Sequence, residues 1–211
     1  RVGIVGANGT GKSTLFAMLR GEATPDAGDI LVSQRTVLGH LRQHIPTDEQ
    51  QRPLLGFAED SLPELRELTA RIHELEAALP ELDEGARQAA LDELGDCQTQ
   101  FEHLGGYEVR YRAETALSGL GFKPTDVGCP LAEFSGGWQM RAELSRCLVA
   151  RPDLLLLDEP SNYLDIPAVE WLQRYLREFR GTLLLVSHDR YLLNSLTDRT
   201  IEVAGGRAEC Y

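Results

Sequence analysis

Val2-Gly3-Ile4-Val5-Gly6-Ala7-Asn8-Gly9-Thr10-Gly11-Lys12-Ser13-Thr14-Leu15 begins as a short apolar, β-branched run, breaks into glycines, and ends on a lysine and two hydroxyl residues. Leu15, Met18 and Leu19 then recur at helical spacing until Gly21. The order is strand, glycine-rich loop, helix. Residues 6–13 satisfy G-x-x-x-x-G-K-[ST] in the context that gives this pattern its mechanism. Glycines let successive backbone N–H groups face one anion, and the following helix turns its positive dipole end toward the same point. Gly6, Ala7, Asn8, Gly9, Thr10, Gly11, Lys12, Ser13 and Thr14 are therefore the expected phosphate cradle. Lys12 neutralises the outer phosphates and the Ser13 hydroxyl ligates a divalent cation.

A second apolar strand, Leu154-Leu155-Leu156-Leu157, ends in Asp158-Glu159. Ligands of open α/β sheets sit outside the strand C-termini, so this acidic pair belongs at the same edge as the glycine loop. Asp158 suits the metal shell, and Glu159 suits the orientation or deprotonation of an attacking water. Gln43, at the end of an expected strand over 36–41, fits a contact to metal or water. His188, after the expected strand over 183–187, fits a hydrogen bond to the terminal phosphate. Between the two acid-bearing regions lies Phe134-Ser135-Gly136-Gly137-Trp138-Gln139-Met140-Arg141, in which Ser135 caps a helix reaching about residue 150. The unpartnered N–H groups of that first turn, with Ser135, Gly136 and Gly137, form another anion site.

The strands 154–157 and 183–187 show no alternation, which implies burial on both faces and a mostly parallel sheet covered by helices. A further strand is expected near 30–32, a helix near 168–179, and a hairpin turning at Gly205-Gly206. From Ser61 the texture changes. Leu65, Leu68, Ile72, Leu75 and Leu79 place one narrow stripe on a helix, with Ser61 and Glu64 as a capping box. Leu91, Leu94, Phe101 and Leu104 mark a second helix, and a third runs over about 109–117. The chain thus divides into an α/β core at 1–60 and 130–211, carrying the helix after Ser135, and a helical insert at 61–129 with a hairpin at about 61–104.

The 211 residues, 42% hydrophobic and 26% charged, suit an ordinary globular domain. No apolar run approaches the roughly 20 residues of a membrane span, so no membrane insertion is expected. Cys97, Cys129, Cys147 and Cys210 are widely spaced and make no zinc pattern, and a cytoplasmic location is the expectation. A net charge of −12 excludes bulk coating of nucleic acid and leaves only local contacts. The opening residues read as the interior of a strand, so the sequence is expected to start inside a longer polypeptide.

In this order, the glycine loop, the segment around Ser135 and the acid-tipped strand resemble an ATP-binding cassette (ABC) ATPase. Residues 134–141 look like the ABC signature, which generic P-loop enzymes lack. The resemblance implies a P-loop NTPase fold of ABC type, ATP and Mg²⁺ as cofactors, and ATP hydrolysis at a site completed by a second cassette. It further implies that Ser161-Asn162-Tyr163-Leu164-Asp165 is the D-loop, with Asp165 on the nucleotide side. Gln43 becomes the Q-loop residue, serving both catalysis and metal, and His188 the switch histidine. Trp138 in the signature, the hairpin at 61–104 and Val186-Ser187-His188-Asp189-Arg190-Tyr191 resemble the ABC-F branch. That branch is one of twin-cassette factors tied to the ribosome and translation, and the likeness is to its first, arm-bearing cassette. Ser161 and Tyr163 depart from the Thr and His usual there. Between Ser61 and Glu114 the insert holds thirteen Asp or Glu against five Arg, a poor match to ribosomal RNA. The alternatives are a transporter's nucleotide-binding subunit and a DNA-associated ABC ATPase.

Overall fold

The computed structural model describes residues 1–33, 35–42, 44–61 and 63–211. In chain order these form β1 (Val2–Val5), α1 (Lys12–Leu19), β2 (Leu38–His40), α2 (Leu54–Glu59), α3 (Pro63–Ala78), α4 (Glu84–His103), α5 (Gly106–Gly119), α6 (Gly136–Val149), β3 (Leu154–Asp158), α7 (Ile166–Glu178), β4 (Thr182–Val186), α8 (Arg190–Leu196), β5 (Arg199–Ala204) and β6 (Arg207–Cys210). The strands make one sheet in the order β2-β3-β4-β1-β5-β6, parallel except for the β5–β6 hairpin. Ile4 and Asp158 both pair with Val186, so the C-terminal ends of β1, β3 and β4 lie side by side. That register is what carries the loops after these strands to one edge.

Successive residues of the central strands point to opposite faces. Leu155, Leu157, Leu183 and Leu185 pack with Leu144 and Leu148 of α6, Leu172 and Leu176 of α7, and Leu192 of α8. Ile4, Leu156 and Val186 pack instead on Phe16 of α1. Burial on both faces is thus why these strands read as unbroken apolar runs. A separate helical core joins Leu54 and Phe57 of α2, Val109 and Leu117 of α5, and Ala142 of α6. Leu75 of α3 meets Ala90 and Leu94 of α4 at the centre of the hairpin, and Arg71 bridges the two helices to Glu93 at 2.6 Å.

Four local expectations are corrected. Residues 30–32 form no strand, and Leu31 is 94% exposed. Among the described residues no strand offers its backbone a partner, and a short apolar run alone cannot satisfy its own N–H and C=O groups. The strand expected over 36–41 contracts to Leu38–His40, where the register with Leu154–Leu156 begins. Ser61 is no cap: its hydroxyl donates to the Glu59 carbonyl at 3.4 Å, and α3 starts two residues later. The inward stripe of α4 is Ala90, Leu94, Cys97 and Phe101, whereas Leu91 and Leu104 are exposed. Small residues can line a tight helix contact as well as leucines do, and hydrophobicity alone overlooks them. The short helices α2 and α8 had no periodicity long enough to reveal them.

His40 on β2 accepts from Arg20 at the end of α1, which fixes that ring nitrogen as unprotonated. Burial, then the Arg20 charge, holds His40 below the ordinary histidine value of 6.5. The unfolded chain therefore binds a proton that the folded chain refuses. Stability from this site is complete above pH 6.5 and is lost as pH falls toward the depressed folded value. Thermal unfolding followed from pH 7.5 down to 5 should show this decline, and His40→Gln should flatten it; equal slopes would refute the assignment.

Candidate functional site

At the end of β1 the chain turns at Gly6, whose φ is 154° and where an added Cβ would overlap the Val203 carbonyl and the Thr10 hydroxyl. Gly11, at φ 102°, occupies the left-handed N-cap of α1. Lys12 is buried to 9% exposure, and its ammonium donates to the Gly6 and Ala7 carbonyls at 2.8 Å each. An ammonium has three donors, so one remains for a ligand. Thr10 tightens the loop by donating to the Ala7 carbonyl at 2.9 Å.

The Ser13 hydroxyl donates to Asp158 Oδ2 at 2.9 Å, which joins the head of α1 to the tip of β3. Two hard oxygens this close suit Mg²⁺, which takes one or two protein oxygens and fills its octahedron from phosphate and water. Among the described residues no cluster of three His, Cys, Asp or Glu could cage a metal without such borrowed ligands. Glu159 follows with φ 48° and ψ 51°, left-handed although it carries a side chain. Its N–H is tied to the Val186 carbonyl at 2.9 Å, and the His188 N–H donates to its Oε2 at 3.3 Å. His188 Nε2 stands 3.5 Å from Oε1, a buried oxygen with no hydrogen bond among the described residues. Strained backbone and an uncommitted carboxylate oxygen together mark Glu159 as held for something other than packing.

Asn8, Gly9, Gly11, Lys12, Ser13, Thr14, Asp158, Glu159 and His188 line one cavity of about 540 Å³. Asn162 lines it too, a residue inside the D-loop segment that its sequence position alone did not single out. Ser135, Gly136, Gly137 and Asp165 are elsewhere. Ser135 sits at the N-cap of α6, but its side chain makes no capping hydrogen bond, so hydroxyl and first-turn N–H groups are both uncommitted on an exposed surface. Asp165 caps α7 by accepting from the Ala168 N–H at 3.1 Å, and it also receives Arg141 at 3.2 Å. These two hydrogen bonds, the Ala168 one first, hold its carboxyl below the usual range. Gln43 lies outside the described residues.

Two residues not singled out for this role tie the site's parts together. Arg141 stacks on Trp138 at 4.4 Å and donates to the Tyr163 carbonyl at 2.7 Å and the Leu120 carbonyl at 3.1 Å. It thereby fixes the helix after Ser135 to the 161–165 segment. Glu143, wholly buried in α6, receives Arg42 at 2.8 and 3.0 Å and Arg146 at 2.7 and 3.0 Å. Arg42 also grips Glu49 at 2.7 and 2.9 Å, and the Glu49 hydrogen bonds lead in raising its pKa. The residue next to Gln43 is thus anchored to the same helix. A carboxylate on the buried stripe of an amphipathic helix was the available signal.

A glycine loop, an acid-tipped neighbouring strand and a detached capped helix, on a parallel sheet with a helical layer, define a P-loop ATP-binding cassette. The chain belongs to the ABC transporter family, whose family model matches residues 1–162. Its relatives are ABC-F proteins. It is 39% identical over 218 residues to the human ATP-binding cassette sub-family F member 3, covering 100% of this chain and 28% of that protein. It is 33% identical over 211 residues to the energy-dependent translational throttle protein EttA of Mycobacterium tuberculosis, covering 100% of this chain and 37% of that protein. The chain therefore spans well under half the length of these curated relatives. Its fold is similar to that of a solved ATP-binding subunit of an ABC transporter, with a TM-score of 0.67 at 18% identity, covering 100% of this chain and 77% of that one.

Proposed function

We propose that this cassette binds Mg·ATP at residues 6–14 and hydrolyses it once the signature of a second cassette closes over the phosphates. Lys12 neutralises the outer phosphates, Ser13 and Asp158 hold the metal, and Glu159 takes the proton of the attacking water. His188 steadies Glu159 and the terminal phosphate, and Gln43 completes the shell. Ser135, Gly136 and Gly137, which do not line this chain's own cavity, serve the nucleotide of the partner cassette. Asp165 acts by holding Arg141 and so the signature helix. Residues 61–129 form the helical insert, with the hairpin at 61–104 as its arm and the remainder as the α/β core.

The observation that carries this reading is Glu159, bound in a left-handed turn with one carboxylate oxygen unspent beside the Ser13–Asp158 pair. In the full-length protein, Glu159→Gln should retain ATP binding and lose turnover by about 10²- to 10⁴-fold, the usual worth of a general base. Hydrolysis at the normal rate would remove Glu159 from the mechanism.

The biological setting we infer is a cytoplasmic twin-cassette factor acting on the ribosome, in which ATP closes the cassettes and hydrolysis reopens them. The relative named for a translational throttle supports it. Glu159→Gln with ATP should then enrich the full-length protein on ribosomes in co-sedimentation, and no ATP-dependent enrichment would reject the ribosomal setting while leaving the ATPase.

A further inference from the structure

One opening lies at the end of the sheet opposite the glycine loop. It measures about 790 Å³, lies where β3 and β4 begin, and shares Arg151 and Tyr175 with a smaller cavity of about 180 Å³ between α5, the end of α6 and α7. Within the smaller cavity the charged lining residues are Arg112 and Arg151, and no carboxylate lines it. Neither arginine has an ion-pair partner among the described residues. Arg112 gives only its Nε to a backbone carbonyl, that of Glu108 at 3.3 Å, and the Arg151 side chain makes no hydrogen bond there. Burial first, then the charge of Arg151, lowers the Arg112 pKa, and the Glu108 charge acts in the opposite direction.

Arg151 is also strained. It follows α6 with φ 46°, at a position where helices ordinarily place glycine or asparagine. Three aromatic side chains line the same cavity: Trp171 and Tyr175 are half-buried and stack at 5.5 Å with 28° between their planes, and Tyr111 is 72% exposed. In the larger opening Arg180 continues the positive edge, while Asp153 and Glu178 lie there too. The Asp153 carboxylate already accepts from the Val37 N–H at 2.9 Å.

We propose that this groove binds a short segment of single-stranded RNA, with Arg112 and Arg151 on successive phosphates and Tyr111 against a base. The proposal rests on the ribosomal reading and gives it a contact surface. Two guanidinium groups without an ion-pair partner on one cavity call for an anion with more than one charge, and the exposed Tyr111 ring beside them favours a nucleobase over a carboxylate chain. The chain's net charge of −12 confines any such contact to a few nucleotides at a local cationic place such as this.

The test is fluorescence anisotropy of a labelled single-stranded RNA octamer with the full-length protein across a salt series. Saturable binding is expected, weakened at least about tenfold by Arg112→Glu/Arg151→Glu, with Tyr111→Ala losing a comparable factor. Two phosphate contacts at about 0.7 each should flatten the log–log salt slope by about 1.4 in the double variant. Arg112→Lys/Arg151→Lys should bind within a few-fold of the parent, and an unchanged unfolding midpoint checks the fold. Arg112→Gln/Arg151→Gln replaces the double variant if charge reversal disturbs it. The proposal is overturned if the octamer fails to bind, if it binds the charge-reversed protein equally well, or if a glutamate-rich peptide displaces it at equal charge. Ribosome co-sedimentation separates the two ideas: octamer binding without co-sedimentation sinks the ribosomal setting alone, and co-sedimentation without octamer binding sinks the groove alone.

Discussion

Lys12→Ala should weaken ATP binding by the full-length protein by roughly 30-fold to several thousand-fold, the 2–5 kcal/mol typical of truncating one side of a buried, hydrogen-bonded charge pair. The size follows from where the ammonium sits. At 9% exposure it is largely out of water, so its attraction to phosphate is weakly screened. Its bonds to the Gly6 and Ala7 carbonyls also pull the two sides of the loop together, and alanine would release both oxygens. Binding should therefore lose electrostatics and loop order at once. Titration calorimetry with Mg·ATP measures it; a dissociation constant within about fivefold of the parent would remove Lys12 from the phosphate site.

Glu143→Ala should be the most damaging single change away from the nucleotide. Removing one partner of a buried ion pair costs about 3–5 kcal/mol, because the opposite charge stays behind without compensation. Here Arg146 would keep no carboxylate, while Arg42 would retain Glu49. Both arginines reach water in part, at 28% and 23% exposure, so the lower end of that range applies. A loss of about 3 kcal/mol lowers the unfolding midpoint by about 6–12 °C in a domain of this size. Glu143→Gln, which keeps the shape and one good acceptor, should fall between. A midpoint shift under about 2 °C for Glu143→Ala would mean that the cluster adds nothing net to the fold.

How much was readable in advance depends on how local each feature is. The run from Val2 to Leu15 spells its own strand, turn and helix, because glycine placement and apolar spacing act over a few residues. Leu154–Asp158 is equally legible, since a strand buried on both faces leaves no room for polar residues. The strand expected at 30–32 failed for the opposite reason: β-branched residues describe what a strand tolerates, and only a partner edge makes one. The α4 stripe slipped because Ala90 and Cys97 carry little hydrophobic weight in a sequence yet fit a close helix pair.

The sequence by itself determined the local parts of the proposed cradle: backbone amides freed by glycine, a lysine, a hydroxyl and an acid-tipped strand, each set by residue type and short spacing. Tertiary structure decided what meets what. Parallel pairing brought Asp158 beside Ser13 across 145 residues and placed His188 against Glu159. It also kept Ser135 away from this cavity and drew Arg42, Glu143 and Arg146 into one buried knot. Contacts over such separations depend on sheet register and layer packing, which only the assembled fold fixes.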